Sequence, residues 1–222
     1  MDDGWAWADP IRERHFGPPL LGRFALERVT EGEYWSRWVP MWRDHWPPEV
    51  YFDFDQLCGE DDRARRERVV ESEGGSRLTE NWVVREGGQP VALFSGRQQS
   101  GAAYLMTHAQ VHPDHQGQGL YTEIVRRVIG YTAELGFERI LSEHGVGNNA
   151  VLVPKLKLGF RIIAFEIEPA FGLTLRLAYF HDPQQLAAYA FRYGDATLTT
   201  PLIKSGFAGM ERLRGQFRSA GE

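Results

Sequence analysis

From Val111 to Tyr121 the chain reads Val-His-Pro-Asp-His-Gln-Gly-Gln-Gly-Leu-Tyr, which sets a glycine-rich turn between a strand-like run and a helical pattern. Gly117 and Gly119 let the backbone approach a bound group closely. Exposed N–H groups at the start of the helix then point at that group, and the helix dipole favours an anion there. A diphosphate is the natural ligand for such a turn. Two glycines also serve a plain strand-to-helix connection, so the neighbouring sequence has to decide. The Gly-Lys-Ser/Thr of a P-loop is missing. A dinucleotide fingerprint would need a third glycine where Thr122 stands, although Glu138 lies at a suitable distance downstream.

The elements around this turn are legible from periodicity. Tyr104 to Val111 reads as a strand ended by Pro113. Leu120, Ile124, Val128, Tyr131 and Leu135 then form one stripe at helical spacing, with Glu123, Arg126, Arg127 and Glu134 largely off it. Phe137 to Glu143 reads as the next strand, which completes a βαβ unit. Upstream, Trp82 to Arg85 and Val91 to Ser95 flank Glu86-Gly87-Gly88-Gln89 as a hairpin. Before that come a half-buried strand over Phe24 to Val29 and a capping box at Thr30 to Glu33. The helix it starts carries Trp35, Trp38, Trp42 and Trp46 as core and is expected to stop at Pro40. Glu60 to Glu71 reads as a solvated helix face. Downstream, a short helix holds Pro154 near its first turn and Gly159 at its cap, a long hairpin bends at Pro169 to Gly172, and Asp182-Pro183 opens a helix to Tyr193. Phe207, Met210, Leu213 and Phe217 hint at one more. Residues 1–23 read as an irregular arm packed by its aromatics.

With 222 residues, 42% apolar and 13% aromatic, the chain can bury one sizeable core. No apolar run is long enough for a membrane span, and the start lacks the order of a secretory signal, so the cytoplasm is the expected compartment. Cys58 is the only cysteine, which excludes a disulfide framework or a cysteine metal cluster. A net charge of −5 argues against a nucleic-acid surface.

Val111, Pro113, Gln116 and Gly119 resemble the cofactor motif of the GNAT family of N-acetyltransferases, Val-x-Pro-x-x-Arg/Gln-x-x-Gly-x-Gly/Ala, with Tyr121 departing at the last position. Asn148-Asn149-Ala150 through Lys155 to Gly159-Phe160 is similar to the same family's Asn-to-Gly-Phe helix. The resemblance implies an α/β (α+β type) GNAT fold over residues 24–180, with a mixed central sheet splayed around acyl-CoA, an N-terminal arm (1–23) and a C-terminal helical extension (181–222). It also implies roles for particular residues. Backbone groups from Ala109 to Val111 would hold the pantetheine arm. Main-chain amides of Gln116, Gly117, Gln118, Gly119, Leu120 and Tyr121 would hold the pyrophosphate, Asn148 would bond the pantetheine side, and Arg126, Arg127 or Lys157 would be the basic groups nearest an outer phosphate. No metal is required.

The implied reaction moves an acetyl group from acetyl-CoA directly to an amine acceptor, a small molecule or a peptide, in a ternary complex. Deprotonating an amine of pKa near 10.4 at pH 7 costs roughly 4–5 kcal/mol unless a base assists. His108, before the loop, and Glu143 and His144, at the end of the following strand, are the titratable groups near the split, and each has an ordinary structural reading as well. Many family members carry a tyrosine where this chain has Lys155, as the acid for the leaving thiolate. Lys155 is expected on a short, partly exposed helix and therefore to stay out of the chemistry, leaving Tyr121, Tyr131 or water as donor. A non-catalytic acyl-CoA sensor or scaffold is the alternative reading. The terminal extensions read as walls of the acceptor site or as a dimer interface.

Overall fold

A computed structural model describes residues 5–42, 77–99 and 102–192. The readings made for Trp46, Cys58, Glu60 to Glu71, Tyr193 and Phe207 to Phe217 lie outside the described residues. Contacts divide the chain into two compact units, Met1–Tyr179 and Phe180–Glu222.

The sheet is built from β1 (Ala25–Arg28), β2 (Thr79–Glu86), β3 (Gln89–Gln98), β4 (Ala103–Val111), β5 (Arg139–Gly145), β6 (Arg161–Glu168) and β7 (Gly172–Phe180). Its order is β1-β2-β3-β4-β5-β7-β6. The β2–β3 hairpin turns at Gly87 and Gly88, both at positive φ (56° and 85°), the conformation that a two-residue turn matched to strand twist requires. β4 and β5 pair in parallel around helix α4 (Leu120–Glu134), whose apolar stripe packs into the main core with Trp82, Phe94, Tyr104 and Met106. A second, smaller core on the other face joins Val83 and Leu93 to Val29, Tyr34, Trp38, Val39 and Trp42.

Four expectations are corrected. The arm contains a regular helix, α1 (Asp9–Phe16), which opens on Asp9-Pro10. It is polar apart from a few positions, so it carries little periodic signal, yet it buries Arg12 and Phe16. Pro40 does not end its helix. Thr30 caps a single turn, α2 (Glu31–Glu33), by accepting from Glu33 N at 3.2 Å, and the chain then widens into π-helix over Tyr34–Trp38. Pro40 becomes the second residue of α3 (Val39–Trp42), directly after the wider π turn. Pro154 lies in the middle of α5 (Asn149–Lys157); the carbonyl deprived of its partner belongs to exposed Ala150, which water can serve. The strand after α4 starts at Arg139 rather than Phe137 and runs on through His144, so Phe137 is free to pack in the core.

In the second unit, Asp182 Oδ1 accepts from Gln184 N at 2.8 Å and starts α6 (Pro183–Arg192).

Candidate active site

The sheet opens between β4 and β5. Their ladder holds from Ala103–Arg139 to Met106–Ser142 and no further, so the two strands part beyond that pair. The glycine turn stands at the outer end of β4. Pro113–His115 forms a single 3-10 turn, Gly117 and Gly119 take positive φ (72° and 83°), and no atom lies within 4 Å of where a Cβ would stand on either. Gly119 begins α4 without any side-chain cap, so the amides of the first turn keep their donors for an external acceptor. Gln116 and Gln118 brace the turn from inside, through Nε2 to Val111 O at 3.0 Å and to Asp114 O at 3.1 Å. Tyr121 packs its ring against the core, and its buried hydroxyl has no hydrogen-bond partner. These features suit a diphosphate: open amides and no steric cover.

A β-bulge decides which side chains flank the split. Opposite β3, Ser95 pairs with His108 and Gly96 with Met106, so Thr107 is an extra residue. Plain alternation would place His108 on the α4 face with Tyr104 and Met106. The bulge turns it to the opposite face, where Nδ1 lies 2.6 Å from Tyr34 Oη and the ring sits 5.9 Å from that of Trp35. Burial lowers the His108 pKa from 6.5 to about 4, so the imidazole is neutral at pH 7.

On β5, alternation separates the other two candidates. Glu143 shares the His108 face and is engaged by Arg176, at 2.9 Å to Nε and 2.7 Å to Nη2. His144 points to the α4 face, where its Nε2 meets the Ser142 hydroxyl. The three sequence candidates therefore fall on two faces: His108 and Glu143 on one, His144 on the other.

Lys155 is the largest correction at the site. It is not partly exposed; its exposure is 0%, and α5 turns it inward together with Leu152. Nζ donates to Ser142 Oγ, lies 3.5 Å from Met106 Sδ and sits 5.0 Å above the Phe160 ring. Met106 and Ser142 are the last ladder pair, so the amine stands at the root of the split. Burial pulls its pKa from 10.5 to about 7, and burial followed by the Lys155 charge takes His144 to about 3. A signal for this was present in the sequence, since Lys155 follows Leu152 by three residues on the apolar side of the helix.

Other expected groups are occupied or distant. Arg127 binds Glu123 and the carbonyls of His15 and Pro18, fastening the arm to α4. Arg126 pairs with Glu123 at 3.3 Å, and Lys157 is exposed. Tyr131 donates to buried Glu80 at 2.6 Å, which removes it as a proton donor in the split. Asn148 is exposed and precedes α5 without capping it. Sequence reasoning passed over Arg23, whose guanidinium bonds Gln118 of the turn; the two lie 95 residues apart, and nothing local signals the contact.

The model of the acetyltransferase (GNAT) family matches residues 33–160. The chain belongs to this family. No curated protein sequence matches it. Among solved structures it is similar to a ribosomal protein alpha-N-acetyltransferase, RimL, in complex with coenzyme A (12% identity, 73% of this chain and 97% of that one, TM-score 0.53). It is also similar to YncA from Salmonella typhimurium with its cofactor acetyl-CoA (17% identity, 72% and 95%, TM-score 0.50). A third is a spermidine N-acetyltransferase chimera from Vibrio cholerae and hSSAT (15% identity, 71% and 95%, TM-score 0.50). At these identities the structural likeness establishes the GNAT fold of this chain, a mixed α/β fold. Among the described residues no helix is long and apolar enough to cross a membrane.

Proposed function

We propose that this GNAT protein transfers an acetyl group from acetyl-CoA to an amine acceptor by direct attack within the β4–β5 split. The observation that carries this reading is the conjunction of an uncapped helix N-terminus and a ladder that stops at Met106–Ser142, since together they offer a diphosphate site and a slot leading inward from it. In this reading the amides from Gln116 to Tyr121 hold the pyrophosphate. The backbone from Ala109 to Val111, left unpaired towards β5, holds the pantetheine arm, and Asn148 bonds it from the other side. Arg23 joins as a basic group beside the turn.

His108 is the group best placed to take the acceptor's proton. Its ring is neutral at pH 7, and its Nδ1 is held by Tyr34 Oη. An imidazolium that acidic does not keep a proton, so His108 passes it on. Glu143 shares the face but is committed to Arg176. The acceptor would enter over Trp35, which is 42% exposed beside His108. Similar structures are named for acting on a polyamine or a protein amino terminus, which makes spermidine and a peptide with a free amino terminus sensible first probes.

The test is release of free thiol from acetyl-CoA with and without each probe. Acceptor-dependent release, lowered about a hundredfold at pH 7 in His108→Gln with acetyl-CoA affinity unchanged, is the expected result. Acetyl-CoA binding without release across a wide amine panel would replace transfer by a sensor or scaffold role.

A further inference from the structure

Resting on that reading, we propose that Lys155, Ser142 and His144 form a proton relay: Lys155 protonates the departing thiolate at the root of the split, and His144 restores the proton through the Ser142 hydroxyl.

Position is the first argument. Nζ reaches both members of the last β4–β5 pair, Met106 Sδ at 3.5 Å and Ser142 Oγ, so the amine occupies the point where the strands separate. The phosphate turn lies at the far end of the split, beyond Val111. From Met106 to Val111 the strand spans roughly 17 Å at about 3.3 Å per residue, a length that an extended pantetheine arm can follow. A thioester carried at the end of that arm arrives beside Lys155.

Cost is the second argument. An ammonium buried without a counter-charge is strongly disfavoured, and among the described residues no carboxylate contacts Lys155. β4 brings Met106, β5 brings Ser142 and His144, and the turn after α5 brings Phe160. Glu143 points to the opposite face, and Lys157 lies outside. A methionine or leucine would fill the same space without penalty, so packing does not explain the amine. Its pKa of about 7 leaves both protonation states populated at neutral pH.

Connectivity is the third. Lys155 and Ser142 are fully buried, whereas His144 is half-buried and reaches towards solvent. Nζ donates to Oγ, and Oγ donates to Nε2 of His144. The acceptor nitrogen forms a bond to the acyl carbon while the C–S bond breaks, its electron pair going to sulfur. The Lys155 ammonium gives sulfur a proton and becomes a neutral amine. The surplus proton of the new amide leaves through His108. For the return, the neutral His144 ring exchanges its Nδ1 proton with water for one on Nε2; Nε2–H then donates to Oγ as the hydroxyl proton passes to Nζ, and water returns a proton to Nδ1, which restores the starting tautomer. The sum is thioester plus amine giving amide plus thiol, with no proton gained or lost.

The experiment measures kcat/KM for acetyl-CoA against pH with spermidine and a peptide with a free amino terminus, alongside melting of the ligand-free protein from pH 7 to pH 10. In the parent, kcat/KM should fall above pH about 7, as the ammonium form is lost. Lys155→Met should lose about a hundredfold at pH 7 and abolish that descending limb, with acetyl-CoA affinity by calorimetry intact. Ser142→Ala should lose about tenfold and keep the limb. Without ligand, Lys155→Met should melt above the parent at pH 7, with the gap closing towards pH 10. A parent that turns over together with a Met variant within threefold of it, limb intact, would overturn the relay alone. So would a melting gap independent of pH, or a stable acetyl group on Lys155, which would make the amine a nucleophile. A parent without acceptor-dependent release strikes the transfer reading itself.

Discussion

Two fully buried charged side chains lie in the same unit, and their surroundings are opposite. Glu80 is met by Arg12 Nε at 2.6 Å, Tyr131 Oη at 2.6 Å, Trp82 Nε1 at 3.2 Å and Arg28 Nε at 3.5 Å. Lys155 has a hydroxyl, a thioether sulfur and an aromatic ring. Glu80 is compensated by opposite charge and several donors, and it ties the arm, through Arg12, to β2 and α4. Lys155 is left to lower its charge instead. Full compensation marks a structural fastening; burial without compensation marks a group tuned to exchange a proton.

The largest effect expected from this comparison is at Glu80. Glu80→Ala takes the buried carboxylate from Arg12, which keeps only Asp9 and the Trp5 carbonyl, and should cost about 3 kcal/mol in urea unfolding, while Glu80→Gln costs less. Loss below about 1 kcal/mol would mean that the arm is not fastened there. Lys155→Met should act in the other direction. With a folded pKa of about 7 against an ordinary 10.5, the unfolded chain binds more protons than the folded one between those values, so parent stability rises with pH across that window. Removing the amine should therefore stabilise at pH 7, by about 2–4 kcal/mol, and the gain should shrink towards pH 10. Tyr131→Phe deletes one donor to a buried carboxylate and should cost about 2 kcal/mol without altering the pH–rate profile. Tyr34→Phe, which removes the partner of His108 Nδ1, should cost about 1 kcal/mol in stability. It should also move the acid limb of the pH–rate profile, as no Glu80 variant does.

Local signals were readable and distant ones were not. The paired glycines of the β2–β3 turn and the stripe of α4 each specify their own few residues, and the structure has them as read; of the Thr30 box it has the Thr30 half, while the Glu33 carboxylate turns to Arg37 and Trp38. The glycine turn was legible for the same reason, because strand, turn and helix follow one another in the chain; the parting of β4 and β5 was implied only by the family resemblance. The face that His108 presents was not, since it depends on one extra residue at Thr107, which alternation cannot reveal. The burial of Lys155 depends on α5 docking over Met106 and Ser142, a tertiary fact; the lone hint was a lysine in step with Leu152. Arg12 and Arg23 act across 68 and 95 residues of sequence, and no short window contains both partners.

The central claim is that acetyl-CoA binds at the open start of α4. It is tested most directly by calorimetry of acetyl-CoA with the parent, Gly119→Asp and Gly119→Asn. Gly119 has φ of 83°, a conformation that Asp and Asn both tolerate better than other side chains, and a Cβ there meets nothing within 4 Å. The two variants therefore differ chiefly in charge. The account predicts measurable binding by the parent and a modest loss in the Asn variant. In the Asp variant it predicts at least about a hundredfold weakening, equivalent to about 2.7 kcal/mol, as the carboxylate confronts the diphosphate. Equal affinity in the parent and Gly119→Asp, with both folded, would place the cofactor elsewhere and contradict the account.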